Sequence, residues 1–175
     1  MSPLRSALFR SSFIQSKGNQ FFKNGYYLSS LCRMVHLWVR AETKEGEARF
    51  AVTPQDCVEL RSCGIDVTVE KSSQRIISDG EFIKQGFQLV EEGAWKEAPR
   101  DAVIVGIKEL PEDGSLLNHQ HVMFGHCFKY QEGWKELMRR FMDGGGCLLD
   151  VEFMVDDQNR RVVHEFSPMA GFCGE

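Results

Sequence analysis

The sequence lacks several features that define whole classes of protein. It has no apolar run of about 18 residues, the length that a membrane-spanning helix requires, so we expect no membrane partner. Its formal net charge of -4 does not favour a nucleic-acid partner. Its six cysteines form no CxxC pair, and a chain of this length needs no disulfide staples, so reduced thiols in an intracellular compartment are expected. It also lacks a GxGxxG loop that opens a helix, the element that cradles a dinucleotide.

Acidic residues are missing from the first part of the chain. Residues 1–33 carry five basic residues and seven serines, and the first acid is Glu42. The remaining 142 residues hold 16 basic and 25 acidic residues, a net charge of -9. This basic, serine-rich leader is typical of a mitochondrial transit peptide, or it is an upstream extension with translation starting at Met34. The first interpretation predicts a mitochondrial protein and the second a cytoplasmic one.

What the chain does contain is ordinary globular composition, with 42% hydrophobic and 26% charged residues among 175, which excludes disorder and collagen-like structure. From Met34 onward, short apolar runs alternate with helical patterns, which predicts an α/β fold with a mainly parallel sheet. The predicted strands are 35–40, 65–70, a brief one in FQLV, 102–107, 121–125 and 147–154.

Three helices are predicted between these strands. Thr53 is the expected N-cap of the first, with Pro54 at its first position and Gly64 after its end. Residues 79–86 form a second, short helix. The third has a strong helical period and is ended by Asp143 and the glycines that follow. Its apolar positions are Trp134, Leu137, Met138, Phe141 and Met142.

Two loops follow predicted buried strands, and sites in doubly wound sheets lie in such loops. Lys108 comes directly after AVIVGI, and His126 comes directly after HVMFG. A lysine there can act as a base, and a histidine titrates near neutrality. The alternative is structural: a solvated lysine paired with Glu109 and a histidine bonded to a backbone carbonyl.

Other polar clusters predict less. His119, His121 and His126 lack further ligands at metal spacing, so no metal is expected, and HQH is interpreted as a surface turn entering a strand. Gly144–Gly146 precedes a strand and is predicted to stop a helix rather than to bind phosphate. Three arginines converging with Lys108 and Lys129 would suit a polyacid substrate, unless they are solvated surface charges. These arginines are Arg49, Arg160 and Arg161.

Four long stretches carry a family resemblance: LWVRAETKEGEARFAVTP, GAWKEAPRDAVIVGIKELPE, HQHVMFGHCFKYQEGW and LLDVEFMVDDQNRRVV. From Val35 to Gly174 the chain resembles the N-terminal domain of fungal, NAD-dependent, L-lysine-forming saccharopine dehydrogenases. More distantly it resembles the N-terminal domains of alanine dehydrogenase and transhydrogenase. The resemblance implies a flavodoxin-like doubly wound, mainly parallel sheet, the N-terminal half of a two-domain Rossmann-type dehydrogenase.

The resemblance also implies an activity, oxidation of saccharopine with NAD to lysine and 2-oxoglutarate. Lys108 matches the family base that deprotonates the substrate amine, and His126 matches the acid/base that handles water addition and imine breakdown. The other matching positions are Arg49, Lys129, Gln131 and Arg161 for substrate, Arg160 toward NAD, and Glu109 and Glu152 as supporting acids. The full-length family member is expected to be monomeric.

Two departures from the family qualify this prediction. VVHEFSPM is more polar and one residue longer than the corresponding stretch of the family, so the residues from His164 to Met169 are not matched to individual family positions. The chain also stops after AGFCGE, where the NAD-binding domain should follow. We therefore expect a leader (1–33), a substrate-side domain (34–166) and the start of a link (167–175), inactive alone and prone to self-association. The alternatives are a non-catalytic binding module and an alanine dehydrogenase relative.

Overall fold

The computed structural model describes residues 35–127 and 132–163, without the side chain of Phe153. These residues lie in one compact unit and contain six strands and three helices. The strands are β1 (His36–Val39), β2 (Asp66–Glu70), β3 (Leu89–Val90), β4 (Val103–Val105), β5 (Gln120–Met123) and β6 (Cys147–Asp150). The helices are α1 (Pro54–Ser62), α2 (Asp79–Lys84) and α3 (Trp134–Gly144), with 3₁₀ turns at Ala94–Glu97 and Val151–Phe153.

All six strands are parallel, in the order β3-β2-β1-β4-β5-β6. Without the two-residue edge strand β3, the order is the flavodoxin-like one, and the predicted fold class is confirmed. The chain winds outward from β1 to β3 and then returns to add β4 on the other side of β1. Open α/β sheets bind their ligands in the crevice at such a reversal, here at the carboxyl ends of β1 and β4.

Alternating side chains of the strands supply two separate hydrophobic cores, as a sheet buried on both faces requires. Trp38 and Ile104 point to the face covered by α3 and the Ala94–Glu97 turn. Val39 and Val69 point to the opposite face, where α1 and α2 pack. The sheet is therefore doubly wound, with its carboxyl ends presented by a rigid two-sided core.

The cap of α1 shows how locally the sequence fixes these elements. The Thr53 hydroxyl accepts from the backbone N–H of Asp56 at 3.1 Å, and the Asp56 carboxylate accepts from the Thr53 N–H at 3.0 Å. This reciprocal pair is a capping box, and Pro54 fits the first helical position because no N–H is needed there. The predicted start of α1 is confirmed.

Of the apolar positions of α3, Phe141 is buried and Met142 is exposed. Two expectations from the sequence are wrong. His119 and His121 do not lie in a surface turn, because both are buried, at 2% and 1% exposure. The last predicted strand ends at Asp150, because the Asp150 side chain accepts from the Glu152 N–H and starts a 3₁₀ turn. Within the described ranges, no helix is long and apolar enough to cross a membrane.

Candidate active site

The loop after β4 carries Lys108 and is held by two buried charged residues that follow β1. The Glu42 carboxylate accepts from the backbone N–H groups of Ile107 at 2.6 Å and of Lys108 at 3.0 Å. The Arg40 guanidinium donates to the carbonyl oxygen of Lys108 and to the Glu42 carboxylate. The backbone of Lys108 is therefore fixed at the carboxyl end of the sheet, beside the crevice.

His126 lies in the neighbouring loop, after β5, and its side chain is only 12% exposed. Its φ of 52° is in the left-handed region, which a residue with a Cβ adopts at an energetic cost that often marks functional sites. Its ring stacks on Phe124, with the centroids 6.1 Å apart. These constraints fix the direction in which the imidazole points.

Two carboxylates flank the His126 ring. Nδ1 lies 3.1 Å from Oε2 of Glu152, and because an ionised carboxylate only accepts, Nδ1–H is the donor. Nε2 faces Oε1 of Glu109 at 3.7 Å. A carboxylate on Nδ1 fixes the tautomer that leaves Nε2 able to exchange a proton, the arrangement of an acid/base histidine.

Glu152 is itself held from two sides and buried. Its N–H donates to Oδ1 of Asp150 at 3.0 Å, which places it in the first 3₁₀ turn after β6. The Arg161 guanidinium donates to the Glu152 carbonyl at 2.7 Å and lies 3.8 Å from the carboxylate. The antiparallel bridge between Val155 and Arg161 folds the chain back, so that this arginine reaches the site.

Glu109 lies on the rim of the site, between Lys44 and His126. Its Oε2 lies 3.4 Å from the Lys44 ammonium. Partial burial acts to raise the pKa of Glu109, but a backbone hydrogen bond, the hydrogen bond and charge of Lys44, and the electrostatic effect of His126 together lower this pKa. The carboxylate therefore stays ionised and keeps negative charge beside His126.

Arg49 is paired with Glu47 in a bidentate geometry. Its Nε and Nη2 donate to the two carboxylate oxygens at 2.8 and 2.5 Å. This hydrogen bonding with Arg49 lowers the pKa of Glu47 to about 2, despite burial, and the charge of Lys108 adds to the effect. Glu47 thus links Arg49 electrostatically to Lys108.

A groove of about 900 Å³ runs from His126 and Glu109 along the start of α3. One wall is the loop before β5, which Arg140 holds by donating to the carbonyls of Pro111 at 2.8 Å and Ser115 at 2.7 Å. The lining holds two arginines, Arg139 and Arg140, and five acidic side chains: Glu109, Glu112, Glu132, Glu136 and Asp143. The groove gives a small, charged molecule access to the imidazole.

The structure brings together four of the residues singled out from the sequence: Glu109, His126, Glu152 and Arg161. Lys108 precedes Glu109 in the same loop, where its backbone is held by Arg40 and Glu42. Arg49 is linked to Lys108 through Glu47. Arg160 does not join these residues, because it pairs with Asp156 on an exposed turn at 2.7 Å. Lys129, Gln131 and the uncertain stretch from His164 to Met169 lie outside the described residues.

Comparison with known proteins identifies the family. Residues 38–173 match the domain described as "Alanine dehydrogenase/PNT, N-terminal domain". The chain belongs to this family. Its fold resembles that of the transhydrogenase from Sinorhizobium meliloti, with a TM-score of 0.55 and 20% identity over 69% of this chain and 36% of that one.

Relatives of this alanine dehydrogenase/PNT N-terminal domain include saccharopine dehydrogenases named NAD(+), L-lysine-forming. The one from Emericella nidulans is 54% identical over 79% of this chain, and the one from Schizosaccharomyces pombe is 52% identical over 79%. The bovine mitochondrial alpha-aminoadipic semialdehyde synthase is 29% identical over 77% of the chain and 14% of its own length. The chain spans 37% and 38% of the two saccharopine dehydrogenases.

The described residues of this family domain do not fit a dinucleotide. The space after β1, where a glycine-rich loop would approach a pyrophosphate, holds the buried side chains of Arg40 and Glu42. The N-terminus of α1 is closed by Thr53 and Asp56. The same part of the chain holds no group of three histidine, cysteine or acidic side chains suited to a metal ion.

Proposed function

We propose that this chain is the substrate-side domain of an NAD-dependent, L-lysine-forming saccharopine dehydrogenase. The observation that carries the proposal is His126, held between Glu152 and Glu109 at the sheet's carboxyl edge, next to the loop of Lys108. The named relatives share this part of the chain at up to 54% identity. Amine deprotonation requires a base, for which Lys108 is placed, and imine hydrolysis requires a group that both accepts and donates a proton, for which His126 is placed.

In this proposal, Lys108 accepts the proton of the secondary amine of saccharopine, which prepares the nitrogen for oxidation to an imine. His126 then removes a proton from the attacking water and returns one to the departing amine, which gives lysine and 2-oxoglutarate. Glu152 keeps Nδ1 protonated throughout, and Glu109 stabilises the imidazolium as it forms. The oxidant is NAD, for which the described residues provide no cradle.

Two arginines near the site, Arg49 and Arg161, can bind carboxylates of the substrate. The side chains of Arg49 and Arg161 are 47% and 49% exposed, so both can reorient toward a ligand. A carboxylate of saccharopine can replace Glu47 as the bidentate partner of Arg49. Lys129 and Gln131 complete the proposed substrate set, and Arg160 is proposed to reach toward NAD.

The test is a fusion of residues 34–175 to the remaining part of the Emericella nidulans enzyme, assayed for NADH formation from saccharopine. We expect activity, and Lys108→Met and His126→Gln should each lower kcat by about 10²- to 10⁴-fold, the worth of a positioned acid or base. The matched control is Lys71→Met. Lys71 is exposed, it pairs with Glu91, and neither residue belongs to the loop of Lys108 or the loop of His126.

A folded fusion that binds NADH but yields no product from saccharopine would contradict the proposal. Activity with pyruvate and ammonia instead would favour an alanine dehydrogenase. Binding of saccharopine without turnover would favour a carboxylate-binding module. Equal kcat values for Lys108→Met and Lys71→Met would remove Lys108 from the mechanism.

A further inference from the structure

Arg40 and Glu42 are buried charges that neither the sequence patterns nor the proposed chemistry assign to a role. Their side chains are 1% and 3% exposed, directly after β1 at the sheet's carboxyl edge. We propose that this pair positions the base: it fixes the main chain of Lys108, and so the origin of the lysine side chain, for proton transfer. The inference rests on the proposed function of Lys108.

The contacts hold both polar groups of the Lys108 backbone. One oxygen of Glu42 accepts from the Ile107 N–H at 2.6 Å and the other from the Lys108 N–H at 3.0 Å. Arg40 donates from Nη2 to the Lys108 carbonyl and from Nη1 to Glu42 at 3.2 Å. The pair therefore joins the end of β1 to the loop after β4, and it binds the backbone N–H and the backbone carbonyl of the proposed base, Lys108.

Gly106 gives independent support for this anchor. A Cβ at this position would overlap the Arg40 guanidinium, so the arginine lies directly against the β4 loop. Only glycine leaves room for the Arg40 guanidinium at this position, where β4 leads into the loop that carries Lys108. The arginine and the glycine thus fit one another as parts of one junction.

The energetics favour a positioning role over a purely stabilising one. A buried ion pair costs desolvation, and well-packed apolar residues of similar volume are often as stable or more so. Burial lowers the pKa of Arg40, whereas Glu42 and Glu70 act to raise it, as expected for a charge that loses its hydration. A lysine side chain is long and flexible, so the position of its Cα limits where its amine can reach.

The kinetic test uses the fusion enzyme described above. Glu42→Gln replaces one carboxylate oxygen by an NH2 group, so that a donor faces the N–H of either Ile107 or Lys108 and that hydrogen bond is lost. We expect kcat to fall by about 100-fold while KM for saccharopine changes little, since small misplacements of a catalytic group have that effect. Glu42→Asp keeps both acceptors and should recover part of kcat. Glu45→Gln, an exposed residue in the same loop, is the matched control.

The second readout is amide hydrogen exchange in the 175-residue chain itself. Glu42→Gln should accelerate exchange selectively at Ile107 and Lys108, leaving the core of β2 unchanged. Gly106→Ala should do the same without altering any charge. Uniform acceleration across the sheet, or kcat equal to that of Glu45→Gln, would overturn the positioning role. Full activity of Lys108→Met would reject the proposed function instead. Hydrogen exchange at the amides of Ile107 and Lys108 would still show whether Arg40 and Glu42 fix this part of the backbone.

Discussion

At the scale of single residues, His121 is an ionisable group in apolar surroundings. It is 1% exposed, and its ring packs edge-on against Trp95 and Phe141, with centroids 5.1 and 5.4 Å away. Neither ring nitrogen has a hydrogen-bond partner within the part of the chain that the structure describes. Burial, followed by the positive charges of Arg40, His119 and Arg140, lowers the pKa of His121 to about 3.

This gives a prediction for the pH dependence of stability. The unfolded imidazole binds a proton below a pKa of about 6.5, whereas the folded one stays neutral down to about pH 3. The contribution of His121 to the free energy of unfolding is therefore constant above pH 6.5. Below that pH the free energy of unfolding falls, by at most about 1.4 kcal/mol per pH unit from this group, until about pH 3. Urea unfolding at pH 7, 6 and 5 measures the slope.

The variant His121→Leu should flatten that slope, because it removes the proton that the unfolded chain gains. His36→Gln is the control, since His36 is half-buried and bonded to Thr68 at 2.9 Å. An unchanged slope in His121→Leu would mean that another group dominates.

How much of the site could be predicted also differs from residue to residue. Lys108 and His126 are predicted from position, because the end of a buried strand is visible in the sequence, and they do lie in the loops after β4 and β5. Their roles stay a prediction. Arg40 and Glu42 were missed: each is a charge beside a strand, and nothing local shows that both reach the loop after β4. The partners of His121 lie in distant elements, which explains why HQH looked like a surface turn.

At the scale of elements, the junction between α3 and β6 depends on close backbone packing. Gly145 ends the helix with a φ of 71°. A Cβ on Gly144 or Gly146 would overlap the backbone of Leu117, just before β5. The glycine run was predicted to stop the helix, and it does, but two of its members also let two chain segments touch.

We predict that Gly144→Ala destabilises the domain by about 1–3 kcal/mol through overpacking, although alanine favours helix. Gly80→Ala in α2 is the matched control, because a Cβ there meets only the Ser78 hydroxyl at 3.5 Å. It should be stabilising by up to about 1 kcal/mol. Urea unfolding of both variants measures the difference. Equal stability of the two would show that the Leu117 segment moves away without cost.

Element types were largely predictable because periodicity and caps are local signals. The cap of α1 and the extent of α3 follow from a few neighbouring residues. The end of β6 does not follow in this way, because CLLDVEFM is apolar except for Asp150 and Glu152, and only the capping role of Asp150 starts the turn that presents Glu152. An N-cap inside a strand-like run is a signal that could have located it.

At the scale of the whole molecule, the two faces of the sheet are covered unequally. The α1 face has a core over β1, β2 and β3, which ends at Val105. Beyond it, Val105, Val122 and Leu149 form a row across β4, β5 and β6. Leu149 is 45% exposed, and no described helix packs over this half of the face.

Parallel sheets normally bury both faces, so within the described residues this row is a partly exposed apolar surface. We therefore expect the 175-residue chain to self-associate as its concentration rises, measured by sedimentation velocity. Leu149→Ser should shift the distribution toward monomer. Ile76→Ser is the control, because Ile76 is 78% exposed but lies in a loop away from the row. If both variants shift the distribution toward monomer equally, exposed apolar side chains in general cause the association. If only Leu149→Ser shifts it, the row across β4, β5 and β6 causes it.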